Sequence, residues 1–245
     1  MLSVVCWKWR SPKGYRSTFT AEHVNTLFRM VKRHYPEPHR SICVTDDPMR
    51  LERYIEVVPI SKDWADIPSP HGGHNPSCYR RLVMFSPQAK QLFGERFVSL
   101  DLDTVVTGDL RPLWDRPEDF VMWGETDPRS DFNGSMLLMS AGARPQVWDR
   151  FNPTTSPAEA KAAGKFGSDQ GWISHILGRS KHDGPDHPQR EATWTTKDGV
   201  YSYRIHLHPN RGMLPDDARI VMWHGGQDPW GPHAQRLDWV RRNYQ

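Results

Sequence analysis

Apolar runs of strand length alternate with helical repeats over the first hundred residues, and this alternation constrains the fold more than any other feature. Runs at 2–7, 41–45, 54–60 and 97–100 have the length and composition of buried strands. Between the first two, apolar residues recur at helical spacing after a candidate N-cap, Thr20. Strands that alternate with helices form mostly parallel sheets. We therefore expect an α/β fold with a mixed, mostly parallel central sheet flanked by helices, a Rossmann-like arrangement.

The remainder of the chain predicts further strands and short helices around the same sheet. Strands are expected at 120–123, 135–140, 201–207 and 220–223, and helices at 79–93, 145–151, 158–163, 169–177 and from 233 onward. The segment 179–198 is rich in His, Asp, Pro, Gly and Thr, a composition that predicts a mobile loop able to act as a lid. Because no linker or repeat interrupts the 245 residues, we expect one domain over 1–245.

Composition and the chain start narrow the class of protein. Lys and Arg number 32 against 29 Asp and Glu, too small an excess for a dedicated nucleic-acid binder, although a nucleic-acid acceptor is compatible with it. The apolar start at 1–6 is too short for a signal-peptide core or a membrane span. Three cysteines without CxxC spacing predict neither a disulfide framework nor a thiolate zinc site. We expect a cytoplasmic protein, with peripheral membrane attachment as the alternative.

Two acids follow the apolar strand at 97–100 directly, and they carry the strongest chemical signal. Asp101 and Asp103 are two positions apart, so in an extended chain both carboxylates point to the same side. Hard divalent cations such as Mg²⁺ or Mn²⁺ take carboxylate oxygens and complete their shell with water and phosphate. Ligands of open α/β sheets bind at the carboxyl ends of the strands. The pattern predicts a metal site for a diphosphate-bearing substrate; the alternative is a turn followed by a helix cap.

An ordered set of motifs resembles the GT-A glycosyltransferases, and glycosyltransferase family 8 most closely. The motifs are Tyr79-Arg80-Arg81-Leu82, Leu100-Asp101-Leu102-Asp103 with Gly108-Asp109-Leu110, Phe132-Asn133-Gly134-Ser135, Asp169-Gln170, and His224-Gly225-Gly226-Gln227-Asp228-Pro229-Trp230. They occur in the family's order and extend over most of the chain. The resemblance implies a GT-A fold, a nucleotide-sugar donor, expected to be a UDP-sugar, and transfer with retention to a saccharide or other acceptor.

The resemblance also implies residue roles. Asp101, Asp103 and His224 would hold Mn²⁺ or Mg²⁺, which neutralises the departing nucleoside diphosphate. Arg81 would contact the donor phosphates or sugar, and the glycines Gly225 and Gly226 would let backbone amides approach phosphate. The polar side chains expected to line the donor-sugar and acceptor cleft are Asn133, Asp169 and Gln170. Asp169 has an alternative explanation as an acid at a helix start beside Ser168.

Two departures from the family pattern affect the nucleotide. At the end of the first strand the chain reads Cys-Trp-Lys-Trp-Arg, where the family often has an Asp or Asn-rich contact, so we expect Trp7 or Tyr15 to stack on the base. The family's Lys before Pro-Trp is replaced by Asp228, which leaves the diphosphate to Arg81, Lys8 or Arg16.

Two other histidine pairs are weaker candidates for metal ligands. His206 and His208 follow a strand pattern that would place both rings on one side, and His71 and His74 flank two glycines. We expect both pairs to be structural or solvated.

Two other functions fit parts of the sequence. Asp101 and Asp103 also resemble the nucleophile motif of haloacid-dehalogenase-like phosphatases, in which the first Asp attacks phosphorus, but that family places the motif near the chain start. A non-enzymatic, metal-dependent carbohydrate-binding protein could use the same acids with exposed tryptophans. Such a protein needs no nucleoside-diphosphate site, which distinguishes it from a transferase.

Overall fold

The structure is a computed structural model of the 245-residue chain. It describes residues 1–11, 18–62, 64, 66–68, 70, 77–127, 130–178, 191–224 and 226–245. Tyr15, Arg16, His71, His74, Gly225 and the segment 179–190 lie outside the described residues, so the expectations placed on them stay predictions.

A seven-stranded sheet forms the centre of the molecule. Its strands are β1 (Leu2–Lys8), β2 (His39–Thr45), β3 (Ile55–Pro59), β4 (Arg96–Leu100), β6 (Phe120–Asp127), β7 (Ser130–Ser140) and β8 (Ala192–Trp194); the remaining strands, β5, β9 and β10, belong to a second sheet. The order is β3-β2-β1-β4-β7-β6-β8. Every neighbouring pair is parallel except the two that involve β7, which runs antiparallel to β4 and β6. The expected mixed, mostly parallel sheet is confirmed.

Alternating side chains of these strands build two apolar cores, one on each face of the sheet. In β1, Val4 and Cys6 belong to the first core, whereas Val5 and Trp7 belong to the second. The alternation follows from the two-residue period of a strand, and burial on both faces explains why β1 is apolar throughout. The same alternation turns the residue after Leu100 toward the second core.

A smaller sheet covers the first core. Its strands are β5 (Thr104–Val106), β9 (Val200–Ser202) and β10 (Ile220–Met222), in the order β5-β10-β9. β10 pairs antiparallel with β5 and parallel with β9. Because β5 follows the two acids directly, the chain passes from the large sheet to the small one at Asp101–Asp103.

Helices cover both faces of the large sheet. They are α1 (Ala21–His34), α2 (Ala89–Phe93), α3 (Arg111–Trp114), α4 (Gln146–Asp149), α5 (Ser156–Ala162), α6 (Asp169–Leu177) and α7 (Asp238–Asn243), with 3₁₀ helices at Cys78–Phe85, Thr196–Asp198, His208–Asn210 and Ala234–Arg236 and a π-helical turn at Tyr203–Leu207. None of the helices in the described part of the chain combines the length and apolar character needed to cross a bilayer.

Several segments differ from the expected elements, among them the helix expected from 233 onward, which is a 3₁₀ helix (Ala234–Arg236) followed by α7. The helix expected at 79–93 is two short helices, because Pro87 interrupts it. The strand expected at 201–207 ends at Ser202, whose hydroxyl accepts from the Ile205 N–H at 3.1 Å and turns the chain into the π-helical turn. His206 and His208 therefore share no strand face.

The prediction of a loop over 179–198 is wrong for its last described part. Residues 192–194 form β8, beside β6, and Trp194 is fully buried with its indole N–H donating to the Leu113 carbonyl. The buried Trp194 side chain thus anchors residues 192–194 in the sheet, at the end of the segment whose composition predicted mobility.

Candidate active site

Arg81 lies at the centre of the candidate site, and two carboxylates hold its guanidinium. Nε donates to Asp169 Oδ2 at 2.7 Å, and Nη1 donates to Asp101 Oδ1 at 2.5 Å. Arg81 is 5% exposed and Asp169 is 2% exposed. Burial alone would lower the pKa of Arg81, but Asp169 and Asp101 raise it well above its ordinary value. The guanidinium is permanently charged and fixed in orientation.

Three separate elements supply this cluster. Arg81 belongs to the 3₁₀ helix Cys78–Phe85, Asp101 follows the end of β4, and Asp169 is the first residue of α6. The N-cap Ser168 makes no side-chain capping hydrogen bond. Because Asp169 is the first residue of α6, it is an acid at a helix start, as the alternative explanation held. It is also the ion-pair partner of Arg81.

The beginning of β7 closes one side of the cluster. A Cβ added at Gly134 would lie 2.6 Å from Arg81 Nη2, so a glycine there leaves the room that the guanidinium occupies. The Gly134 N–H donates to Gln170 Oε1 at 3.2 Å, and the Asn133 Oδ1 accepts from the Ser135 N–H at 2.9 Å. The Asn133-Gly134-Ser135 segment is thus adjacent to Gln170 and to the arginine.

The orientation of β7 explains how it reaches this edge. Because β7 is antiparallel, its first half lies beside the carboxyl end of β4, and the Asp101 N–H donates to the Ser135 carbonyl at 2.9 Å. The structure therefore brings Arg81, Asp101 and Asp169 into contact and places Asn133 and Gln170 next to them.

Gln170 has its own steric requirement. The residue before the N-cap of α6, Gly167, has φ +93°, and a Cβ there would lie 2.6 Å from Gln170 Cγ. A left-handed backbone without a side chain is therefore needed for Gln170 to turn toward Gly134. Gly134 belongs to the predicted Asn133-Gly134-Ser135 motif, whereas no sequence pattern indicated Gly167, which lies two residues before the predicted Asp169-Gln170 pair.

Cys78 is a second residue near the cluster that the sequence analysis did not assign. Desolvation raises the pKa of its thiol to about 12, and Asp169 and Asp101 add to the rise against the opposing effect of Arg81. A thiol with this pKa is protonated at neutral pH. Cys78 is consequently unsuited to act as a thiolate nucleophile.

Asp103 lies on the other side of the bend that follows β4. Residues 102–103 form a bend rather than extended chain, so the two-residue period of a strand does not apply to Asp101 and Asp103, and their shared metal site stays a prediction. Asp103 is 8% exposed, and its carbonyl accepts from the Trp223 N–H at 2.8 Å. This hydrogen bond joins the bend to the end of β10.

His224 follows β10 and contacts β9. Its Nε2 is 2.7 Å from the Ser202 hydroxyl, and its ring lies edge-on to Trp123 at 6.0 Å. Among the described residues, no three His, Cys, Asp or Glu side chains are gathered in a group that could hold a metal ion. Gly226 is exposed, with open space where a Cβ would be.

The expected base contact and one expected phosphate contact are placed differently. Trp7 is 5% exposed in the second core, and its indole N–H donates to the Ser99 hydroxyl at 2.9 Å, so its faces are packed against protein rather than open to a base. Lys8 is buried and donates to Asp47 Oδ2 at 2.7 Å. Its charge is therefore already paired, which disfavours the role on the diphosphate expected for it.

The fold is that of the GT-A glycosyltransferases. The galactosyltransferase LgtC, in a structure with donor and acceptor sugar analogues, is similar to this chain with a TM-score of 0.64 and 14% sequence identity. The alignment covers 98% of this chain and 93% of the LgtC chain. GlyE of Streptococcus pneumoniae TIGR4 matches 99% over 63% of its own chain at 12% identity and TM-score 0.56. The bifunctional glycosyltransferase WbbM matches 95% over 47% at 13% identity and TM-score 0.57. Sequence comparison finds no matching family model and no matching curated protein.

Proposed function

We propose that the protein is a glycosyltransferase that moves a sugar, expected to be a hexose, from a nucleotide-sugar donor to a saccharide acceptor. The observation that carries the proposal is the buried Arg81 between Asp101 and Asp169, at the edge where β4 ends. Ligands of open α/β sheets bind at this edge. The fold is shared with LgtC, whose structure was determined with donor and acceptor sugar analogues.

The polar residues beside Arg81 are suited to hold the donor sugar. Asp169 and Gln170 supply a carboxylate and an amide from the first turn of α6, and Asn133 supplies an amide from β7, with the Asp169 carboxylate buried against Arg81. Such groups bind sugar hydroxyls, and a site built for hydroxyls discriminates strongly against ligands that lack them. Because Arg81 holds Asp169 Oδ2, the carboxylate orients a substrate better than it accepts a proton. This arrangement supports transfer with retention, which requires no dedicated general base for the acceptor.

The divalent-metal part of the proposal rests on the chemistry of the donor set. Arg81 takes Oδ1 of Asp101, and the Asp101 side chain is 29% exposed, so Oδ2 can accept a ligand from solvent. The carboxylates of Asp101 and Asp103 suit Mn²⁺ or Mg²⁺. His224 is the proposed third ligand, although its Nε2 is engaged by Ser202. When bound, the cation supplies charge neutralisation for a departing diphosphate.

The nucleotide part of the proposal assigns the remaining residues. Arg81 is 5% exposed and would act on the diphosphate or donor sugar from beneath the site, and Gly225 and Gly226 would supply backbone amides. Tyr15 is the residue proposed to stack on the base, since Trp7 is packed in the core. A UDP-sugar is the donor we propose.

The experiment is thermal unfolding of the purified protein with UDP, GDP or CMP, each with and without Mn²⁺. A ligand at a hundredfold its Kd adds about 2.7 kcal/mol to the unfolding free energy. We expect a Mn²⁺-dependent rise with UDP, followed by transfer from a UDP-sugar. The absence of a rise with all three nucleotides would overturn the donor site and favour the phosphatase or a carbohydrate-binding protein.

A further inference from the structure

A cavity of about 680 Å³ opens beside the small sheet, outside the candidate active site. Thr196 and Tyr201 form one side, and residues from two stretches, 205–206 and 213–216, form the rest together with Asn210. Its volume is within the range of pockets that bind small molecules. None of the residues assigned above to the donor site lines it.

Ser202 connects this cavity to the candidate active site. Its backbone N–H donates to His206 Nδ1 at 2.9 Å, and its hydroxyl is 2.7 Å from His224 Nε2. The residue that holds the cavity histidine therefore also holds the histidine proposed for the metal. A ligand in the cavity would lie near the end of β10.

The polar groups of the cavity offer both a donor and acceptors. Because His206 Nδ1 accepts a hydrogen bond, its ring proton resides on Nε2, and burial lowers the pKa of this histidine so that it stays neutral. Asn210 donates through Nδ2 to the His206 carbonyl at 2.8 Å, which leaves its Oδ1 as an acceptor. Asp216 adds an exposed carboxylate, and no Lys or Arg is among the described lining residues.

Apolar surface complements these polar groups. Ile205 is 37% exposed and Met213 is 68% exposed, although most large apolar side chains of the described chain are buried. The Tyr201 hydroxyl donates to Asp217 Oδ1 at 2.8 Å, which fixes the ring, and the His206 ring lies edge-on to it at 5.9 Å. An aromatic and aliphatic wall with neutral donors and acceptors matches a ligand that has both C–H faces and hydroxyls.

We propose that this cavity binds a neutral saccharide and docks part of the glycosyl acceptor, apart from the donor site. The acceptor role rests on the proposed transferase function, whereas saccharide binding does not. The carboxylate of Asp216, with no Lys or Arg among the described residues that line the cavity, disfavours phosphorylated or carboxylated ligands.

The test measures direct binding by saturation-transfer NMR with the methyl glycosides of glucose, galactose, mannose and N-acetylglucosamine, and with lactose and maltose. We expect a signal from at least one sugar, and the same signal when UDP and Mg²⁺ are present at saturating concentration. In Met213→Arg, a long cation at the rim should weaken that sugar about tenfold, or 1.4 kcal/mol. Met49→Arg is the matched control, because Met49 is 71% exposed and lies outside the cavity.

Three results would overturn the proposal: no signal from any of the six sugars, equal signals in Met213→Arg and Met49→Arg, or loss of the signal on adding UDP. The first would leave an apolar ligand as the occupant. If UDP with Mn²⁺ fails to stabilise the protein while a sugar still binds, the transferase function fails and the saccharide site stands. If transfer is established, Met213→Arg should raise the acceptor KM and leave the donor KM unchanged.

Discussion

The two halves of the candidate active site differ in how completely the protein assembles them. On the second core's side, Arg81 contacts both Asp101 and Asp169. On the small sheet's side, Asp103 and His224 are each held by separate neighbours, Trp223 and Ser202. A buried cation can be kept only with its counter-charges, so folding itself must assemble the first half. Asp103 and His224 have no shared counter-charge of this kind, so we expect the proposed cation to complete the second half.

The largest effect should come from Arg81→Met, which leaves two carboxylates without their cation. We expect a loss of about 3–5 kcal/mol in unfolding free energy, because breaking a buried ion pair from one side strands the remaining charge. Urea unfolding at pH 7 measures it. Arg111→Met is the control, because its pair with Asp109 lies at the surface and its removal should leave stability close to wild type. Similar stability of the two variants would contradict the assembled first half.

Gly134→Ala should have the next largest effect. The new Cβ would lie 2.6 Å from Arg81 Nη2, so either the guanidinium or β7 must shift. Crowding of this kind costs about 1–3 kcal/mol. Gly226→Ala provides the control in the second half, where a Cβ meets open space. A Gly134→Ala variant as stable as Gly226→Ala would show that the guanidinium is not confined.

Asp103→Asn tests the ligand-completed half. We expect it to lose the Mn²⁺-dependent part of the UDP stabilisation, since a neutral amide replaces a carboxylate ligand. Asp109→Asn is the matched control, an acid six positions later whose partner is Arg111 at the surface. Thermal unfolding with UDP, with and without Mn²⁺, compares the two. Undiminished Mn²⁺ dependence in Asp103→Asn would remove this residue from the metal site.

The smallest effect concerns pH. His23 at the start of α1 stacks on Trp230 at 4.1 Å, and its Nδ1 accepts from the Thr20 N–H. Burial lowers the pKa of His23 despite the opposing charge of Glu22, so the folded protein prefers the neutral ring. The contribution of His23 to the unfolding free energy is complete above the pKa of the unfolded state, about 6.5. It is lost as the pH falls through the pKa of the folded state.

His23→Gln keeps an acceptor at this position without a titrating ring. Urea unfolding at pH 7.5 and at pH 5 should therefore show that the variant loses less unfolding free energy on acidification than the wild type does. Identical acid losses would mean that His23 does not link the start of α1 to the C-terminal segment through its neutral form.

Sequence patterns predicted local elements well and contacts between distant elements poorly. The helix expected at 169–177 is α6 with the same bounds, because its apolar spacing and its starting acid are local signals. The ion pair between Arg81 and Asp169 joins residues 88 positions apart, and no local pattern indicates which cation meets which acid. The family resemblance brought both residues to one site but did not indicate that they pair.

The errors have similarly specific causes. The aromatic residues that replace the family's Asp or Asn-rich contact predict Trp7 at the base, but its register within β1 directs it into the second core, where Phe93 packs edge-on at 6.0 Å. The strand expected through 207 ended early because a single hydroxyl, that of Ser202, captured a backbone N–H. Both outcomes depend on one residue's neighbours, which periodicity does not report.

The late position of Asp169 in the chain has a consequence for folding during synthesis. During synthesis from the N-terminus, Arg81 and Asp101 emerge together, separated by 20 residues, while Asp169 follows only after β7 and two further helices. A nascent chain that stops before α6 holds the arginine with one of its two carboxylates. The ion pair between Arg81 and Asp169 therefore forms late. Any fragment that ends before residue 169 has Arg81 beside the seven-stranded sheet with only one of its two counter-charges.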